Sequence, residues 1–157
     1  MCHWCSYGGA DNAGTSHFEY PASQRGLRVM CSARMDQDFI YEAFRLGAGM
    51  VLVSGCHPQD CHYITGQRVG AERFEKLTKR LVDIGVSPQR FRVEWISAAE
   101  GAKYAQVIRE MDQALKRFDP QALQEEIERT RPEFERRVRR LPEIPEVARA
   151  LELAKAQ

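Results

Sequence analysis

Two short apolar runs, LRVMC at 27–31 and MVLVSGC at 50–56, each end in a cysteine, and this repetition constrains the fold more than any other feature of the chain. Runs rich in Val and Leu without polar alternation are the mark of strands buried on both faces, as in a parallel sheet. Parallel strands need a crossover, and the residues between the two runs supply one. In DQDFIYEAFRLG, Asp36 is a good N-cap, Phe39, Ala43, Phe44 and Leu46 follow at helical spacing, and Gly47 ends the segment. The unit predicted is β-α-β, with Cys31 and Cys56 at the carboxyl ends of its strands.

The same grammar continues downstream. An amphipathic helix is predicted from about Arg68 to Ile84, closed by Gly85, then a strand FRVEWI at 91–96 and a helix over 98–118. The fold class expected is α/β, a small parallel sheet flanked by helices. Ligands of open α/β sheets bind in the crevice outside the carboxyl ends of the strands. Cys61 follows Cys56 there within a short turn, and Cys2 and Cys5 need only fold back onto that edge. Such a fold ordinarily begins with a strand leading into the CHWC loop, whereas this sequence starts at the loop. The sheet is therefore expected either to be built without its first strand or to receive it from another segment or subunit. The glycine-rich YGGADNAGTS reads as a loop whose exposed amides can donate to sulfur.

All five cysteines, Cys2, Cys5, Cys31, Cys56 and Cys61, and all four histidines, His3, His17, His57 and His62, fall in the first 62 of 157 residues. Cysteines used as small core hydrophobes would scatter over all the buried elements, so their segregation favours one localised site. No stretch approaches the roughly 18 apolar residues of a membrane span, and no leader resembles a signal peptide. A cytoplasmic location is expected, where disulfides do not persist and metal or redox chemistry is the better use of five thiols. Lys plus Arg number 23 against 22 for Asp plus Glu, so no overall field argues for nucleic acid or a membrane surface.

Four blocks in order, CHWCSYGGADNAGTS, RVMCSARMD, VLVSGCHPQDCHYITG and EWISAAEGAKYA, resemble the delta subunit family of methyl-viologen-reducing hydrogenase, over about residues 2 to 110. The resemblance implies a flavodoxin-like domain holding one 2Fe-2S cluster. It also implies an electron relay between a hydrogenase or formate dehydrogenase and the flavin-containing subunit of a heterodisulfide reductase. A 2Fe-2S cluster takes four thiolates, and the sequence offers a C-x2-C pair, a C-x4-C pair and Cys31 as a fifth candidate. Local pairs need less chain closure, which favours Cys2, Cys5, Cys56 and Cys61, with Cys31 as the substitute.

Neighbouring residues have plainer readings. His57 and His62 flank the second pair and are expected to donate to a sulfur or a carbonyl, or to cap the turn, rather than to ligate. Trp4 reads as an apolar lid, with Tyr7 and Tyr63 in a similar position. Ser97 and Glu100 have capping-box spacing and are read as the start of a helix. Structural zinc is the main rival for the cysteines. A thioredoxin-like dithiol is a third reading, opposed by Gly8 and Gly9, which follow the C-x2-C where a helix should open. No phosphate cradle and no defensible catalytic set is present, so the chain is expected to carry electrons for a complex without catalysis of its own.

Residues 119–157 differ in composition. Dense in Glu and Arg and interrupted by Pro132, Pro142 and Pro145, they predict two or three short helices beyond an α/β domain spanning 1–118. Leu123, Ile127, Phe134, Val138 and Leu141 are too sparse for a separate core, so this helical extension is expected to pack on the domain or on a partner. Arg136, Arg137, Arg139 and Arg140 form a basic cluster suited to a solvated face or to an acidic subunit. Nucleic acid is disfavoured, since no stacking aromatics are interleaved with them.

Overall fold

A computed structural model describes residues 1–138. Strands β1 (Val51–Gly55) and β2 (Phe91–Trp95) pair in parallel, Val51 opposite Phe91 and Gly55 opposite Trp95. Around them lie α1 (Gly8–Thr15), α2 (Gln37–Arg45), α3 (Gly66–Ile84), α4 (Gly101–Arg117) and α5 (Pro120–Arg137). Alternation along β1 divides the core. Val51 and Val53 pack with Ile40, Tyr41 and Phe44 of α2, Phe74, Leu77 and Leu81 of α3, and Phe134 of α5. Leu52 turns the other way, onto Tyr104, Val107 and Ile108 of α4 and Ala13 of α1. The result is an α/β sandwich with a helical layer on each face of the sheet.

The sheet is wider than its two strands. Cys2 N–H donates to the Ser54 carbonyl (3.0 Å), Val29 N–H to the Met1 carbonyl (2.9 Å) and His3 N–H to the Val29 carbonyl (2.7 Å). Segments 27–31, 1–3, β1 and β2 thus lie side by side, the 2-1-3-4 order of flavodoxin-like sheets. Met1–His3 occupies the place of the first strand. The strand expected at 27–31 is reduced to a single parallel bridge, Val29 with Cys2.

Helix signals hold where caps are local. The Asp36 carboxylate accepts the Asp38 amide (3.2 Å) at the start of α2. Gly85 ends α3 with φ of 100°, a left-handed conformation that favours glycine. The expected loop after CHWC is instead a π-helical turn, His3–Tyr7, running into α1. Its glycines are there for proximity: a Cβ on Gly9 would stand 2.8 Å from the Ser97 carbonyl oxygen, and one on Gly8 3.1 Å from the Ala98 Cβ. Close approach to the 96–98 turn stabilises a helix that glycine's propensity opposes.

Pro120–Arg137 of the extension form one helix, α5, which continues through Pro132 where a break is expected. Phe134 is fully buried, its ring stacked on Phe44 with centroids 5.7 Å apart. Buried Arg90 donates to Glu126 (2.7 Å) and to the carbonyls of Gly49 (2.7 Å) and Ala48 (2.8 Å), tying α5 to the sheet. Arg136 and Arg137 both pair with Glu133. Arg139, Arg140, Leu141, Pro142 and Pro145 lie outside the described residues.

Candidate metal centre

Each cysteine reaches the same edge by a different device. The ladder bond to Ser54 sets Cys2 beside the carboxyl end of β1, and the π-helical turn brings Cys5 back over it. Cys56 leaves β1 directly, and Cys61 follows after the 57–60 turn. Cys31 comes from the neighbouring segment.

Cys2, Cys5 and Cys56 pack as one buried group with Cys61 against its flank. The Sγ atoms of Cys2 and Cys56 are 3.7 Å apart. Cys61 Sγ accepts the Gln67 amide at 3.2 Å, at the start of α3. Gly66 is the close-approach residue: a Cβ there would stand 2.5 Å from Cys31 Sγ and 3.3 Å from Cys61 Sγ. Cys31 is therefore also at the site, close enough to Cys61 and Cys2 for their charges to act on its thiol. All five thiols are free.

Burial pushes the thiols of Cys5, Cys31 and Cys56 above their ordinary pKa, most of all Cys56. Metal binding here would release protons, because the ligating form is the thiolate. Among the described residues, no three Cys, His, Asp or Glu side chains already stand at metal-binding separation. The thiols are packed as neighbours, with sulfurs in contact where a bound group would part them. The donor set nonetheless fits a thiolate-held centre, since soft sulfur ligands select iron-sulfur clusters or zinc. Two buried polar atoms fit as well: His3 Nδ1, in the residue after Cys2, and Ser32 Oγ, in the residue after Cys31, have no hydrogen-bond partner. Sulfide acceptors nearby would relieve both.

The surrounding residues are organised. Trp4 stacks on His62 with centroids 3.9 Å apart, and its Nε1–H donates to the Tyr63 hydroxyl at 3.0 Å. The C-x2-C turn and the Cys61 turn are thereby held together across the thiols. The Arg28 guanidinium lies over the Tyr7 ring at 5.0 Å. His17 lies beyond the end of α1, and no contact brings it to the thiols.

His57, expected to serve sulfur or a carbonyl, instead meets the Glu100 carboxylate at 2.6 Å. Glu100 also accepts the Ser97 amide at 2.6 Å, so half of the capping box forms and the same carboxylate reaches the residue after Cys56. The Ser97 amide, with help from His57, holds the Glu100 carboxyl down to about 2. The sequence signal for Glu100 is its capping spacing, which hides this second role. The helix opened by the C-x2-C removes one objection to a dithiol reading. Three further thiols at the same edge now argue against it.

The family described as methyl-viologen-reducing hydrogenase, delta subunit, matches residues 1–119. An iron-sulfur subunit of F420-non-reducing hydrogenase from Archaeoglobus profundus is 44% identical over 119 residues, covering 76% of this chain and 87% of that protein. The vhc iron-sulfur subunit of the same hydrogenase type from Methanococcus voltae is 43% identical over 124 residues, 79% and 86% of the two chains. One component of the ferredoxin:CoB-CoM heterodisulfide reductase of Methanosarcina mazei is 42% identical over 120 residues, which cover 76% of this chain but 15% of that longer protein.

Proposed function

Because this chain belongs to the family of the methyl-viologen-reducing hydrogenase delta subunit, we propose that it is the electron-transfer subunit of a hydrogenase–heterodisulfide reductase type complex, carrying one 2Fe-2S cluster. The observation that carries this reading is the convergence of thiols from separate segments at the carboxyl edge of the parallel sheet. Cys2, Cys5, Cys56 and Cys61 are the proposed ligands, since they form one packed group, and Cys31 is the spare thiol. Such a cluster supplies a site that accepts and releases one electron at a time.

The chain's own residues do the rest. Trp4 and His62 limit water at the thiol edge, while Gln67 N–H and the unpartnered His3 and Ser32 groups offer hydrogen bonds to sulfur. No catalytic residue is assigned. The proposed partners are a hydrogenase or formate dehydrogenase subunit on one side and a heterodisulfide reductase-like flavin subunit on the other. A relative named as part of a heterodisulfide reductase contains a matching stretch within its own longer chain, which supports this pairing. Among the described residues no helix is long and apolar enough to cross a membrane.

Anaerobic purification with metal and sulfide analysis tests the reading. About two irons and two acid-labile sulfides per chain are expected, with an EPR signal on reduction. Zinc without sulfide would instead assign the thiols to a structural site.

A further inference from the structure

Among the described residues only β1 pairs with β2, so the other side of β2 is a sheet edge. The register tells which groups that edge presents. The Gly55 carbonyl accepts Ile96 N–H at 2.8 Å, so by the alternation of a parallel ladder the main-chain groups of Arg92 and Glu94 turn toward β1 and those of Phe91, Val93 and Trp95 turn outward. Lys103 Nζ closes the Trp95 carbonyl at 2.6 Å. Among the described residues, nothing bonds to Val93 N–H, the Val93 carbonyl or Trp95 N–H. An open row of this kind is a template for another strand.

The side chains make the edge selective. Arg92 and Glu94 lie on the α4 face of β2 with their charged groups 2.8 Å apart, Glu110 on Arg92 at 2.8 Å and Lys103 on Glu94 at 3.3 Å. Charge on an edge ordinarily blocks pairing. Here its order does the reverse in one register: FRVEW turned end for end about Val93 sets each Arg92 opposite a Glu94. Sliding the copy by two residues, the smallest step that keeps the outward groups facing one another, sets Arg92 on Arg92 or Glu94 on Glu94.

We propose that the outer edge of β2 docks a second copy of this chain, antiparallel, about a two-fold axis at Val93. Val93 exchanges both main-chain bonds with the same residue of the copy, and Trp95 N–H reaches the Phe91 carbonyl of the copy. Arg92 and Glu94 then form the non-hydrogen-bonded cross-strand pairs, in which side chains stand closest. A second copy is the occupant because the charge order of this edge is complementary to itself. The interface closes on two chains. Since the strands run antiparallel, the carboxyl ends of the two sheets point in opposite directions, and each thiol edge stays clear of the other.

Analytical ultracentrifugation of the full chain, under reducing conditions that keep its free thiols from cross-linking, tests this. An edge of five residues buries little area, so the dimer should appear as the concentration rises toward about 200 μM. Arg92→Glu and Glu94→Arg should each weaken self-association at least about tenfold, because both cross-strand pairs turn from attraction to repulsion. Mixed one to one, the two variants should associate again, since the first presents two anions to the second's two cations. Val93→Pro removes an N–H that bonds nothing within the chain and should abolish the dimer without either charge change. Circular dichroism checks that each variant is folded. A parent chain that stays monomeric, charge variants that dimerise as the parent does, or a mixture that stays monomeric would overturn the interface. Slow amide exchange at Val93 in the monomer would overturn it too, by showing the edge covered within the chain. None of these readouts involves iron, so the outcome is independent of the proposed function.

Discussion

His57 Nε2 and the Glu100 carboxylate stand 2.6 Å apart across 43 residues of sequence, linking the residue after Cys56 to the turn that begins α4. The carboxylate is partly open to solvent, so the contact orients the Cys56 turn more than it stabilises the fold. Its effect on pH dependence is nevertheless specific. The Glu100 carboxyl is lowered from 4.5 to about 2, so the stability it contributes is present above about 4.5 and is lost as pH falls toward 2. Glu100→Gln should therefore narrow its stability gap to the parent chain progressively across that window. Urea unfolding of both chains at several acidic pH values measures it, and a gap independent of pH would contradict the assignment.

Gly66 makes a sharper demand. With Cys31 Sγ 2.5 Å and Cys61 Sγ 3.3 Å from where its Cβ would stand, Gly66→Ala should displace Cys31, crowd the ligand Cys61 and lower the iron retained per chain, while the circular dichroism of the helices stays close to the parent. Gly14→Ala is the control, because nothing lies within 4 Å of a Cβ there. Equal iron in both variants would remove Gly66 from the site.

Serine variants separate the ligands from the spare thiol. Cys2→Ser, Cys5→Ser, Cys56→Ser and Cys61→Ser should each lose or strongly alter the reduced EPR signal, and Cys31→Ser should retain it. A signal that survives in Cys61→Ser and vanishes in Cys31→Ser would exchange their roles.

The Arg90–Glu126 pair predicts a contrast between buried and exposed charge. Arg90 is 1% exposed, and burial alone would raise the Glu126 carboxyl, but bonds from Ser87 and Arg90 hold it below its ordinary value. Glu126→Ala leaves that guanidinium uncompensated and should cost about 3 kcal/mol. Glu110→Ala, which removes a partner of Arg92 at the surface, should cost less than about 1 kcal/mol. Denaturant midpoints of the two variants decide it.

What can be read from the sequence is what neighbouring residues determine. Asp36 and Gly85 announce their helix ends, and the apolar runs at 51–55 and 91–95 announce the parallel pair. The same runs place Cys56 at the sheet's carboxyl edge. What is not legible depends on distant partners. Gly8 and Gly9 read as a loop because their helix rests on Ser97 and Ala98, and the 27–31 run reads as a full strand although only Val29 of it pairs, with Cys2. Glu126 looks like one charge among many in a polar helix until Arg90, 36 residues earlier, is found buried against it.

The ladder bond that sets Cys2 beside Cys56 also has a consequence in time. These thiols are 54 positions apart, so on a ribosome adding 5–20 residues per second the first pair waits about 3–10 s for the strand that will cover it. During that interval Cys2 and Cys5 are the thiols left longest without cover on the unfinished chain. Nascent protein made under air should accordingly carry more oxidation at these two positions than at Cys56 or Cys61.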